Sequence, residues 1–95
     1  MTGETVRRVT EMLAAGHIAE FRSGGEDYLI QQENNKGWDY ISVWRTGSCM
    51  ECLGRVMFDI FDGVDADTVT ELLSLRCIGG QSILEREQCG SIEWK

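Results

Sequence analysis

The alternation of apolar and polar positions from Asp27 to Thr46 predicts a β-hairpin that is apolar on both faces. Asn34-Asn35-Lys36-Gly37 is a turn cluster, and a four-residue loop there would place Ile30 opposite Ile41. Because side chains alternate between the faces of a strand, one face carries a core-like set: Tyr28, Ile30, Ile41 and Val43. The other face carries the set Leu29, Trp38, Tyr40 and Trp44. A slip of one residue would exchange the two sets.

Apolar residues at helical spacing predict helices on both sides of the strands. A stripe of Val6, Val9, Met12 and Leu13 predicts a first helix from Thr2 to Ala15, ended by Gly16. A second helix begins after the N-cap Asp65, carries Val69, Leu72 and Leu73, and runs to Gly79-Gly80. Ser82 followed by Glu85 is a capping-box pattern, which predicts a short third helix from Ile83 to Cys89.

Strand-like alternation also occurs outside the hairpin. His17 to Arg22 reads as a first strand, and Cys52 to Phe61 as a fourth. In the fourth strand, Val56, Phe58 and Ile60 share one face, and Arg55, Met57 and Asp59 share the other. Ile92 and Trp94 would add an edge strand. The sequence therefore predicts an α+β fold in the order α-β-β-β-β-α-(α)-(β). Its sheet is a four-stranded antiparallel meander, or a five-stranded one if the tail pairs, and the N-terminal and C-terminal helices pack on one face.

Length and charge narrow the class of protein. A chain of 95 residues makes one domain, 1–95. Its net charge of −7 argues against a nucleic-acid partner, because phosphate binding requires a clustered positive surface. No apolar run reaches the ~18 residues that cross a bilayer, and the N-terminus has no signal-peptide core. We therefore expect no membrane partner and a cytoplasmic protein with reduced cysteines.

The cysteines are the first candidate for chemistry. Cys49 and Cys52 form a CxxC, and two more thiols, Cys77 and Cys89, would complete a four-ligand zinc set. The second pair is widely spaced, and the CxxC precedes a strand instead of opening a helix, where a redox cysteine is activated. We interpret all four as ordinary thiols and keep a zinc-stabilised module as an alternative.

Other polar motifs fit structural roles better than catalytic ones. The acidic run of Asp59, Asp62, Asp65 and Asp67 lacks the ligand order of an EF-hand and suits a turn and a helix start. His17 has no carboxylate or serine partner in the pattern. Gly79-Gly80-Gln81-Ser82 lacks the lysine of a P-loop. The sequence therefore predicts no catalytic residue and no cofactor.

The aromatic face of the hairpin remains as the candidate site. Its residues Leu29, Trp38, Tyr40 and Trp44 would lie on the sheet surface away from the two main helices. They could stabilise the sheet as cross-strand pairs, or be covered by the C-terminal segment through Trp94. They could also form a contact surface, since exposed aromatic patches mark interfaces.

Three functions follow from these interpretations. The first is a non-enzymatic protein-interaction domain, a homodimer or a binder of a protein partner through this face. The second is a small-molecule-binding or enzymatic domain with an aromatic pocket between sheet and helices. The third is the zinc-stabilised module.

Overall fold

The computed structural model describes residues 2–47, 49–59, 61 and 63–95. It confirms the predicted α+β fold. The elements are α1 (Thr2–Ala14), β1 (Ala19–Ser23), β2 (Glu26–Asn35), β3 (Trp38–Arg45), β4 (Glu51–Phe58), α2 (Ala66–Leu73), α3 (Ile83–Gln88) and β5 (Glu93–Trp94). The strands form one antiparallel sheet in the order β4-β3-β2-β1-β5, so β1 to β4 make a meander and the tail adds the fifth strand at the β1 edge.

The central hairpin closes on a tighter turn than the sequence predicted. Lys36 (φ 55°) and Gly37 (φ 83°) are both left-handed, as in the two-residue turns that match the twist of paired strands. Asn34 and Asn35 belong to β2, and Ile30 lies opposite Val43. The predicted register is therefore wrong by two residues. Because that shift is even, every side chain keeps its predicted face.

The core lies between one face of the sheet and the helices. We call this side the helix face. From the sheet it contains Phe21, Ile30, Ile41 and Val43, all fully buried. The helices contribute Val9, Leu13, Val69, Leu72, Leu73 and Ile83, also fully buried. The apolar stripes predicted for α1 and α2 are the residues that seal this face, which leaves the opposite face of the sheet to be explained.

Helix α2 ends earlier than the predicted stop at Gly79-Gly80. Its last residue is Leu73, and Ser74 is the C-cap. A continued helix would direct Arg76 toward the core stripe, where a charged group is costly. The chain instead leaves the helix, and Ile78 reaches the core with an exposure of 3%. Gly79 and Gly80 form the turn that lets Ile78 and Gln81 exchange two backbone hydrogen bonds of 3.0 Å.

Strand β4 contains a β-bulge that the sequence did not predict. Val43 pairs with Gly54 and Trp44 pairs with Cys52, so Leu53 is the extra residue. A Cβ atom on Gly54 would lie 3.0 Å from Leu75 Cδ1, so a larger residue here would require the Leu75 side chain to shift. The strand starts one residue before the predicted Cys52 and ends at Phe58. The predicted inward position of Ile60 lies outside the described residues.

Strand β1 covers Ala19–Ser23, slightly later than predicted, and the capping box at Ser82 is present with both of its hydrogen bonds. No helix in the described part of the chain is long and apolar enough to cross a membrane.

Candidate functional site

The second face of the sheet carries none of the described helices, because α1, α2 and α3 all contribute to the core on the helix face. Strand alternation sends the intervening side chains to this side. We call it the open face, made by Leu29, Glu33, Trp38, Tyr40, Ser42, Trp44, Arg55 and Met57. All four residues singled out from the sequence lie on it. Leu29 is directly opposite Trp44, and Trp38 and Tyr40 continue the same line along β3.

The C-terminal segment does not cover the open face. Trp94 pairs with Phe21 at the far edge of the sheet, and the two ring centroids are 5.2 Å apart. The Trp94 indole N–H donates to Glu87 Oε2 at 2.8 Å, so this side chain belongs to the helix face. The proposed covering by Trp94 is therefore wrong. The Trp and Tyr cluster that suggested a pocket between sheet and helices lies on the opposite side of the sheet.

The centre of the open face is a small polar network. Ser42 is fully buried, and the Trp44 indole N–H donates to Ser42 Oγ at 2.9 Å and to Glu33 Oε2 at 3.3 Å. Arg55 Nη2 lies 3.6 Å from Glu33 Oε1, and the Arg55 guanidinium carbon is 5.4 Å from the centre of the Tyr40 ring. The polar groups here pair with one another. A molecule packing on this face would therefore strand few of them without partners.

The exposed apolar area is concentrated at the Trp38 end of the open face. Trp38 is 58% exposed, Met57 is 54% exposed and Phe61, just beyond β4, is 94% exposed. These three side chains line a hollow of about 440 Å³ between the β2–β3 turn and the end of β4. Single exposed apolar residues are ordinary, but a contiguous group is typical of a contact surface.

Sequence reasoning missed two of these contact residues. Alternation correctly placed Met57 on the other side of the strand from Val56, but its position beside Tyr40 depends on the β3–β4 register, which no turn motif in the sequence fixes. Phe61 follows the last residue of β4, so no periodicity indicates where it points. The signal that could have found both is their size and hydrophobicity next to a predicted strand end.

The open face is only weakly acidic on a strongly acidic chain. The charged side chains on this side of the sheet include Asp59 directly after β4 and Lys95 directly after β5. They are five acidic and three basic: Glu20, Asp27, Glu33, Asp59, Glu93, Arg22, Arg55 and Lys95. Lys95 Nζ lies 2.9 Å from Asp27 Oδ1, and Arg22 Nε lies 3.5 Å from the same oxygen. The Lys95 hydrogen bond lowers the pKa of Asp27 below its ordinary value. This face holds a net −2 of the chain's −7.

The four cysteines do not assemble into a site. All are free thiols. Cys52 lies beside Arg55, whose Nη2 donates to its sulfur at 3.5 Å, whereas Cys89 is the C-cap of α3. Burial raises the pKa of the Cys77 thiol. Within residues 2–47, 49–59, 61 and 63–95, no group of three or more His, Cys, Asp or Glu side chains is arranged to hold a metal ion.

The remaining polar motifs occupy structural positions. Asp65 caps α2 by accepting the Thr68 backbone N–H at 2.8 Å, which lowers the pKa of its carboxyl. Asp59 Oδ1 accepts the Phe61 backbone N–H at 2.9 Å, and Asp62 lies outside the described residues. His17 is exposed, and its backbone N–H donates to the Met12 carbonyl at the end of α1.

Comparison with known proteins returned no match among protein-family models, curated proteins or solved structures. The open face is therefore interpreted from its own chemistry.

Proposed function

We propose that this protein is a non-enzymatic self-associating domain in which the open faces of two copies pack against each other. The observation that carries the proposal is an uncovered, weakly charged aromatic face on a chain of net charge −7. Three large apolar side chains, Trp38, Met57 and Phe61, remain more than half exposed at one end of it.

Burial of these side chains supplies the driving force. Fully burying a Phe or Met side chain is worth roughly 1.5–3 kcal/mol before the costs of association are deducted. Tryptophan, methionine and arginine are also enriched where proteins bind each other. The hydrogen bonds from Trp44 to Ser42 and Glu33 are internal to the face, so they persist when water is excluded.

The charge distribution favours a second copy as the occupant. Outside the open face the chain carries most of its negative charge, and two copies meeting through those surfaces would repel each other. Two acidic chains approach through the open face with less repulsion than through the rest of the surface. A basic partner would be attracted to the more acidic surfaces instead, and would gain less from a face of net −2.

Two methionines of equal exposure provide the test. Met57 on the open face is 54% exposed, and Met50 in the loop before β4 is 56% exposed. We expect sedimentation equilibrium to show a monomer–dimer equilibrium, with Met57→Ala weakening the dimer by roughly tenfold, equivalent to about 1.4 kcal/mol. Met50→Ala should leave the dimerisation constant unchanged. A wild-type protein that stays monomeric to high micromolar concentration, or equal effects of both substitutions, would contradict the proposal.

Salt separates a second copy from a basic partner. Added sodium chloride screens the repulsion between two chains of charge −7, so we expect the dimer to tighten as ionic strength rises. Contact with a basic partner would weaken under the same change. Dimerisation that weakens with salt would contradict an apolar contact between the two open faces.

A further inference from the structure

A second feature lies on the helix side of the sheet, at the end opposite the Trp38 hollow. An open cleft of about 290 Å³ is bordered by the β1–β2 turn, the start of β4 and the α2–α3 connection. Its polar lining includes Ser23, Tyr28, Arg45, Cys77 and Arg86. Two arginines thus converge on one small cleft of an acidic protein.

Arg86 is held between two glycine turns. It extends from α3 so that its Nη1 donates to Ser23 Oγ at 2.9 Å. A Cβ atom on Gly24 would lie 3.5 Å from Nη1, and a Cβ atom on Gly79 would lie 3.1 Å from Nη2. The guanidinium therefore packs against bare backbone on both sides. A side chain on Gly79 would require Nη2 to shift slightly, whereas one on Gly24 would make an ordinary contact with Nη1.

The charge of Arg86 has no counter-ion in the described chain. Its Nε is the single buried side-chain nitrogen or oxygen among the described residues without a hydrogen-bond partner. Four other arginines, Arg22, Arg45, Arg55 and Arg76, each lie within 4 Å of a carboxylate, and the remaining two, Arg7 and Arg8, are exposed on α1. The acidic residue at the cleft, Glu26, is paired with Arg45 at 3.5 Å. Arg86 is half-buried, and its guanidinium stays charged at any ordinary pH, so an anion in the cleft would offset the partial loss of its hydration.

The rest of the cleft fits one end of a small organic anion. Since Nη1 is used by Ser23 and Nε is buried, Nη2 is the guanidinium nitrogen that remains to donate to a carboxylate oxygen in the cleft. Tyr28 lines the same cleft, and its hydroxyl interacts electrostatically with four other lining residues: Glu26, Arg45, Cys77 and Arg86. Burial raises the pKa of Tyr28, so its hydroxyl remains a donor at neutral pH. Leu53 and Ile78 add apolar lining.

We propose that this cleft binds a small monocarboxylate, with Arg86 as its counter-ion and the Tyr28 hydroxyl as a second donor. The cleft lies at the lower end of the roughly 300–1,000 Å³ of ordinary ligand pockets, so the ligand is short. One unpaired guanidinium matches one negative charge. The site is on the opposite side of the sheet from the open face, so butyrate binding does not depend on whether the protein self-associates.

Butyrate is the probe, with 1-butanol as its uncharged counterpart and inorganic phosphate as the competing anion class. In two-dimensional NMR spectra of the full chain, we expect butyrate to shift the Arg86 Nε–H resonance and the Gly24 and Gly79 amides saturably. Butanol should not do so. Absence of a saturable shift, or phosphate binding more tightly than butyrate, would overturn the proposal.

Matched substitutions locate the site. Arg86→Gln should weaken butyrate binding by roughly tenfold or more, since it removes a charge-assisted hydrogen bond. Arg76→Gln, which removes an exposed arginine paired with Glu85, should leave binding unchanged.

Tyr28→Phe keeps the ring that stacks on Phe21 at 5.0 Å and should weaken butyrate binding severalfold. This variant keeps the test decisive if Arg86→Gln unfolds. Trp38→Ala should bind normally. Unchanged butyrate binding in both Arg86→Gln and Tyr28→Phe would overturn the assignment.

Discussion

The Trp44 indole contributes to both the apolar surface and the polar network of the open face. Its ring is apolar, and its N–H donates to Ser42 and Glu33. Ser42 is fully buried, so its hydroxyl depends on this donor. We expect Trp44→Phe, which keeps an aromatic ring, to lower the free energy of unfolding by about 1 kcal/mol. Urea denaturation of the purified domain measures the change.

Trp38→Phe is the control for this substitution. The Trp38 side chain is 58% exposed, and no hydrogen bond from its indole occurs among the described residues. Its replacement should alter stability by less than about 0.5 kcal/mol, the range typical of surface changes. Equal losses from the two substitutions would show that the Trp44 hydrogen bonds contribute nothing specific to the domain.

Single-residue positions were predictable where they depend only on strand alternation. The sequence places Leu29, Trp38, Tyr40 and Trp44 on one face, and that grouping needs no knowledge of the partner strand. The network of Trp44 with Glu33 depends on which residues lie opposite each other. The four-residue loop would have placed Glu33 opposite Trp38, whereas the two-residue turn brings it opposite Tyr40.

At the scale of elements, the bulge in β4 shows how packing limits one strand. Leu53 and Gly54 both lie opposite the Val43 region, and Leu75 occupies the space that a side chain on Gly54 would need. We expect Gly54→Val to lower the free energy of unfolding by about 1–3 kcal/mol through overpacking. Thermal or urea unfolding measures the loss.

A double substitution checks the cause of this effect. Leu75→Ala removes the Cδ1 atom that would lie 3.0 Å from a Cβ atom on Gly54, so Gly54→Val should cost less in that background than in the wild type. Strictly additive effects of Gly54→Val and Leu75→Ala would mean that the glycine is required for another reason.

Elements were predictable from periodicity and capping, and less so from their ends. Asp65 and Ser82 marked the starts of α2 and α3 because a side-chain oxygen there satisfies a free backbone N–H. The predicted end of α2 was wrong, because the sequence indicates a helix terminator only at the glycines 79–80. The chain leaves the helix sooner so that Ile78 can be buried. That choice is made by tertiary packing.

For the whole molecule, several carboxylates are held in their charged form by folding. The Ser82 backbone N–H donates to Glu85 Oε1 at 3.0 Å and lowers the pKa of Glu85, with Arg76 contributing further. The pKa values of Asp65 and Asp27 are also lowered. A folded pKa below the unfolded value contributes stability above the ordinary carboxyl range, and that contribution is lost as pH falls through the folded pKa. We expect the urea midpoint to fall between neutral pH and about pH 3.

The variant Glu85→Gln isolates one of these groups. Its amide oxygen can still accept the Ser82 N–H but has no charge to lose, so its midpoint should decline less on acidification. Protonation of carboxylates on acidification also reduces the repulsion within a chain of net charge −7, which stabilises the fold. This opposing effect is nearly the same in the wild type and the variant. An identical acid-induced decline in the two proteins would exclude Glu85 from the effect.

The three tryptophans provide the most direct measurement of the central claim, because Trp38 and Trp44 lie on the open face and Trp94 packs against Phe21 on the helix face. Fluorine NMR of 5-fluorotryptophan-labelled protein, assigned by single Trp→Phe variants, reports on all three in one spectrum. As concentration rises from low to high micromolar, we expect the Trp38 and Trp44 resonances to shift or broaden while that of Trp94 stays fixed. Three resonances that are all independent of concentration, or a change confined to Trp94, would contradict it.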